Sequence, residues 1–169
     1  MSPVAVLVGP PGAGKTTVGT LLAERLGVSV RDTDEDIVER AGKSVQDVFV
    51  DDGEQAFRDL EVEAVRTALA DHDGVLALGG GAVVRPETRE ALAGHRVVFL
   101  DVSLSHAAQR VGMNAPGRPL LLGNVRGQLK NLMDARRPLY SEVATITVLT
   151  DGLSAAEVVD RILAEGNLS

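Results

Sequence analysis

The chain has 169 residues, a net charge of −7 and no cysteine. That length fits one domain with a full-sized core, and the missing cysteines remove disulfides, thiolate metal sites and cysteine nucleophiles. The acidic balance disfavours non-specific nucleic-acid binding, which needs a basic face.

Aromatic rings are confined to Phe49, Phe57, Phe99 and Tyr140, too few for a base-stacking platform. Only Lys15, Lys43 and Lys130 of the 17 basic residues are lysine. The rest are arginine, suited to bidentate recognition of phosphate and carboxylate.

Residues 4–8 are apolar and predict a first, buried strand. They are too short for a signal-peptide core, and no apolar run approaches the roughly 18 residues of a membrane span. A cytoplasmic chain without membrane or nucleic-acid partners is therefore expected, and we expect a monomer.

The strand runs into GPPGAGKT, residues 9–16, which matches G-x-x-x-x-G-K-[ST] in full. Glycines let backbone N–H groups wrap around phosphate oxygens. Lys15 reaches the β- and γ-phosphates, and the Thr16 hydroxyl serves Mg²⁺. The ATP-binding set expected here is Gly12, Ala13, Gly14, Lys15, Thr16 and Thr17. A helix over 15–26 then presents its positive N-terminal end to the anion.

A short strand over 28–31 ends at Asp32-Thr33-Asp34. Carboxylates at i and i+2 point the same way in an extended segment. One can hold Mg²⁺ through water while the other meets an acceptor hydroxyl; the competing role is a helix N-cap. Helices are predicted over 34–41, 44–50 and 53–70, the last with a stripe of Phe57, Leu60, Ala64, Val65 and Ala68. Arg58 is either a surface ion pair with Glu54 or Glu61 or a clamp on an acidic acceptor.

An apolar strand over 75–78 ends in Gly79-Gly80-Gly81, which suggests close approach of backbone to ligand. A helix over 86–93 follows, then a strand over 96–100 ending at Asp101. Asp101 rivals Asp32 as the Mg²⁺-linked aspartate and could equally start the next helix, 103–111. Residues 112–123 read as a loop, and a helix over 124–136 is stopped by Pro138. A strand over 145–149 and a helix over 154–165 complete the chain. His72, His95 and His106 are expected on the solvated surface.

Five strands alternating with helices predict a three-layer α/β/α domain over 1–169 with a mostly parallel sheet. Ligands in such sheets bind outside the carboxyl ends of the strands. A switch GTPase should carry N-K-x-D, which is absent, and motor ATPases are larger. A small-molecule kinase is favoured.

Taken together, the glycine loop, Asp32-Thr33-Asp34, Phe57-Arg58-x-x-Glu61, the triple glycine, Arg118-Pro119-Leu120-Leu121 and Arg136-x-Pro138-Leu139-Tyr140 resemble the shikimate kinase family, in order and at family spacing. The resemblance implies strand order 2-3-1-4-5 and transfer of the ATP γ-phosphoryl group to the 3-hydroxyl of shikimate, on the route to chorismate and the aromatic amino acids. It implies that Asp34 is the candidate base and contacts the ring hydroxyls, in an acceptor-binding region of about 34–61. Arg58 and Arg136 would hold the shikimate carboxylate, with Gly80 and Gly81 bordering the substrate and Phe49 and Phe57 supplying apolar wall. Arg118 would sit in a mobile lid of about 112–123 and, with Lys15, stabilise the phosphates. Arg110 would pack on adenine. The resemblance selects Asp32 beside Thr16 for Mg²⁺, and it selects Arg136 over Arg137 only by spacing to Pro138-Leu139-Tyr140. Rivals are a gluconate-type kinase and a non-catalytic ATP-binding regulatory module. Adenylate kinase shares the loop, but its D-G-F-P-R segment is missing here.

Overall fold

The computed structural model describes residues 2–113 and 125–166. Five strands form one sheet: β1 (Ala5–Val8), β2 (Val30–Asp32), β3 (Val75–Ala77), β4 (Val97–Asp101) and β5 (Ile146–Leu149). Their order is β2-β3-β1-β4-β5 and every pairing is parallel. Parallel neighbours need crossovers, and helices supply them. Among the described residues these are α1 (Lys15–Leu26), α2 (Thr33–Ala41), α3 (Val45–Asp52), α4 (Glu54–Asp71), α5 (Pro86–Ala91), α6 (Leu104–Met113), α7 (Val125–Val143) and α8 (Ala155–Gly166). A one-turn 3-10 helix, Ala82–Val84, follows β3.

The middle strands β1 and β3 are buried at every position, as continuous apolar runs covered on both faces should be. The register pairs Leu7 with both Ala77 and Val98, and Asp32 with Ala77. The segments leaving β1, β2 and β3 therefore emerge at one edge of the sheet. One apolar layer joins Val18, Leu22, Val158 and Ile162 of α1 and α8 to the sheet. The opposite layer brings in Val65, Ala68 and Leu92. A smaller cluster, Ile37, Val48, Phe57 and Ala64, ties α2, α3 and α4 together around the expected acceptor region.

Helix α7 belongs to both layers. Leu129 and Met133 pack into the first, and Tyr140 into the second. The expected stop at Pro138 is wrong, because α7 continues through Pro138 to Val143. A proline inside a helix forfeits one backbone hydrogen bond and costs about 3 kcal/mol. Tertiary contacts offset this: Tyr140 is buried against Phe99, with ring centroids 5.0 Å apart, and Arg137 reaches Asp101 at the end of β4. Two further expectations change. Helix α6 extends over Gly112 and Met113, which had been read as loop. His72 is buried, with Nε2 3.0 Å from the Val75 carbonyl oxygen, where it seals the turn into β3. Arg118 and residues 114–123 of the expected lid lie outside the described residues.

Candidate active site

The glycine loop packs tightly against β4. A Cβ on Gly9 would lie 2.5 Å from the Leu100 carbonyl oxygen, and Gly12 and Gly14 take left-handed φ values of 85° and 87°. These are conformations that L side chains resist. The Lys15 ammonium folds back along the loop and donates to the carbonyls of Gly9 (2.7 Å) and Pro10 (3.2 Å). Burial lowers its pKa to about 8 against the opposing pull of Asp34 and Asp32.

That shift has a measurable consequence. Phosphate charges favour the ammonium form, so bound nucleotide raises the Lys15 pKa. Above pH 8 the free protein must take up a proton to bind. ATP affinity should therefore fall by up to about tenfold per pH unit as the pH climbs through Lys15's free-state pKa. Calorimetric titration across that range checks this, and Lys15→Arg, which stays charged, should flatten the dependence. A pH-independent affinity in the parent protein would contradict it.

A cavity of about 400 Å³ opens beside the loop, lined by Lys15, Thr16, Asp32, Asp34, Gly79 and Gly80 among others. Asp32 does two jobs there. Its Oδ1 accepts from the Asp34 N–H at 2.8 Å and caps α2, while the side chain also faces the cavity. A second cavity of about 300 Å³ lies across the loop, bordered by Gly12, Thr17, Arg110, Thr150 and Leu153. Arg110 donates to the Gly12 carbonyl at 2.6 Å and so braces the loop from this side.

The Asp34 carboxyl is pushed above the ordinary carboxylate range by burial and then by the Asp32 charge, with Lys15 and Arg58 opposing. Its neighbour across the site is Glu61, which is 2% exposed and receives Arg58 Nη1 at 2.7 Å. Burial raises the Glu61 pKa despite that partner. Arg58 is itself only 6% exposed. Its guanidinium lies 5.2 Å from the Phe57 ring centroid and 5.8 Å from that of Phe49, and the two rings stack at 4.5 Å. The surface ion pair considered for Arg58 is therefore a buried one, and Glu54 stands off at 3.9 Å. Of the two partners offered for Arg58 by sequence spacing, Glu61 at i+3 is the one that engages it.

The three glycines after β3 fit around these groups. A Cβ on Gly79 would lie 2.7 Å from Asp34 Oδ1 and 3.1 Å from Glu61 Oε2. On Gly81 it would lie 2.5 Å from Arg58 Nη2. Gly79→Ala should displace the Asp34 carboxylate and, with Asp34 as the expected base, lower turnover about 100-fold, the scale of a small misplacement of a reacting group. Steady-state kinetics beside a thermal melt checks it; turnover close to that of the parent would show the carboxylate to be tolerant of displacement.

Asp101 is engaged elsewhere. Both its carboxylate oxygens receive Arg137 Nη1, at 2.7 and 2.6 Å, and it does not line the cavity that Asp32 lines. The same pair occupies Arg137. The charge of Arg136 instead acts on Lys15, Glu61 and Tyr140. The structure thus brings Lys15, Thr16, Asp32, Asp34, Arg58, Gly80, Gly81 and Arg136 to one end of the sheet.

Comparison with known proteins supplies the family. A family model described as shikimate kinase matches residues 11–166. A shikimate kinase of Streptomyces coelicolor is 58% identical over 162 residues, covering 96% of this chain and 94% of that protein. The solved shikimate kinase of Acinetobacter baumannii, in complex with shikimate, superposes with a TM-score of 0.87 at 37% identity, covering 96% of this chain and 91% of the other. That of Bacteroides thetaiotaomicron gives 0.89 at 28% identity, covering 98% of each chain. With its sheet order, its glycine loop and this likeness along nearly its whole length, the chain belongs to the shikimate kinase family.

Proposed function

We infer that this protein transfers the γ-phosphoryl group of ATP to the 3-hydroxyl of shikimate, giving shikimate 3-phosphate and ADP, on the route to chorismate and the aromatic amino acids. The observation that carries the reading is a single cavity with Lys15 and Thr16 on one wall and Asp34 on the other, in a chain of this family. Donor and acceptor groups face one space.

In this reading, Gly12, Ala13, Gly14, Thr16 and Thr17 cradle the phosphates through backbone and hydroxyl groups. Lys15 leaves the loop carbonyls to meet the β- and γ-phosphates. Arg110 borders the adenine side. Arg58 and Arg136 grip the carboxylate, with Gly80 and Gly81 offering close backbone approach. Asp34 takes the proton of the 3-hydroxyl as its oxygen bonds to the γ-phosphorus and the bond to the ADP oxygen breaks. A carboxyl with a raised pKa is a better base near neutrality. Transfer of this kind depends mainly on positioning and charge stabilisation, and Arg118, from the lid of about 112–123, adds charge at the phosphates.

The Thr16 hydroxyl and the Asp32 carboxylate are hard oxygen donors in the same cavity, a set that suits Mg²⁺ alongside phosphate oxygens and water. The ion would neutralise phosphate charge when bound. Among the described residues no helix is long and apolar enough to cross a membrane. A cytoplasmic monomer is the finer reading.

The test is ADP release coupled to NADH oxidation, with shikimate, gluconate and AMP offered separately. Stimulation by shikimate is expected. Stimulation by gluconate alone would move the protein to a different acceptor, and none above the ATP-only background would leave a nucleotide-binding module.

A further inference from the structure

Tyr140 ends the Arg136-x-Pro138-Leu139-Tyr140 motif, and neither phosphate nor acceptor binding explains it. It is 1% exposed, and its ring is stacked on Phe99. Its hydroxyl donates to the Gly80 carbonyl, and it stands four residues after Arg136 on α7, on the same face of the helix, where the Arg136 charge acts on it. A phenol has one proton to give and two lone pairs to offer, and a guanidinium only donates. With its proton given to Gly80, the Tyr140 oxygen keeps acceptor capacity for a cation one turn away. Burial pushes this phenol up to about 12, so it remains a donor throughout the working pH range.

The bond to Gly80 orients more than one atom. In a trans peptide the carbonyl of one residue and the N–H of the next point in opposite directions. Holding the Gly80 carbonyl toward Tyr140 turns the Gly81 N–H away from it. Among the described residues neither the Gly80 nor the Gly81 N–H donates to a protein acceptor. Glycine backbone on both sides would otherwise let this peptide rotate at little cost. Helix α7 thus sets the facing of the Gly80–Gly81 peptide through Tyr140 and carries Arg136 one turn before it.

We propose that Tyr140 is a positioning residue for acceptor recognition, locking the Gly80–Gly81 peptide and Arg136 together as one anion clamp. It touches neither ATP nor shikimate. The inference rests on the proposed function for its kinetic test, but not for its spectroscopic one.

Tyr140→Phe keeps the ring on Phe99 and removes only the hydroxyl. The expected kinetic result is a rise of about tenfold in the KM for shikimate, the scale of one lost charge-assisted hydrogen bond, with the KM for ATP and kcat little changed. In an Arg136→Ala background the same substitution should cost clearly less than in the parent, because one of the two groups it ties together is gone. Equal rises in both KM values, or penalties that simply add, would overturn the proposal and leave Tyr140 as core packing.

In the ligand-free protein, the Gly81 amide resonance should move and exchange faster in Tyr140→Phe, while Gly12 and Gly14 stay in place. An unmoved Gly81 amide also overturns it. If the parent protein showed no shikimate-dependent turnover, the proposed function would fall, and the amide measurement would still decide the role of Tyr140.

Discussion

Asp34→Asn should lower shikimate turnover by about 10²- to 10⁴-fold, the range a positioned proton acceptor contributes, while leaving the KM for ATP nearly unchanged. Asparagine fills the same space and can still orient a hydroxyl, so the loss isolates proton removal. The pH profile sharpens the test. Burial and Asp32 hold the Asp34 carboxyl of the free protein above its usual range, so the acid limb of kcat/KM should break above the ordinary aspartate value of about 3.9. That limb should vanish in Asp34→Asn. A variant with most of its turnover would make Asp34 an orienting group only.

Arg58→Ala should be damaging twice over. It removes one arm of the proposed acceptor clamp, and it strands Glu61, 2% exposed and left without its 2.7 Å partner. Breaking a buried pair from one side costs about 3–5 kcal/mol. The Glu61 pKa is already raised by burial with Arg58 pulling it down; without Arg58 it rises further. A carboxyl whose folded pKa lies above its unfolded value stabilises the fold fully below the unfolded pKa, about 4.3. That contribution is lost as pH rises through the folded pKa. The variant's deficit in urea unfolding should therefore be larger at neutral pH than under mildly acidic conditions. Adding Glu61→Gln should recover much of the stability while the KM for shikimate stays high. Joint recovery of both would show that Arg58 serves the fold alone.

The sheet and the phosphate loop were legible because their causes are local. Continuous apolar runs such as 75–78 announce burial on two faces, and the glycine spacing of 9–16 describes backbone geometry directly. Where the reading failed, the deciding partner was distant in the chain. Pro138 is a stop signal on its own helix, and partners distant in sequence, Phe99 and Asp101 of β4 among them, keep that helix going. His72 sits among aspartates in a polar stretch, yet the turn into β3 buries it. The alternative of a surface ion pair for Arg58 stayed open for the same reason, because nothing nearby in sequence reveals that Gly81 leaves its guanidinium room. The choices between Asp32 and Asp101, and between Arg136 and Arg137, were open in sequence. One ion pair across 36 positions bears on both.

The glycine run after β3 constrains how this protein can change. Gly79 makes room for Asp34 and Glu61, Gly80 for the Pro11 side chain of the phosphate loop, and Gly81 for Arg58. A methyl group at each would press on a different neighbour, hard at Gly79 and Gly81 and more lightly at Gly80. Trimming one neighbour could relieve one substitution and none of the others. A search for second-site suppressors should therefore return three non-overlapping sets, one for each glycine, with those for Gly80 mapping to the nucleotide side and those for Gly79 and Gly81 to the acceptor side.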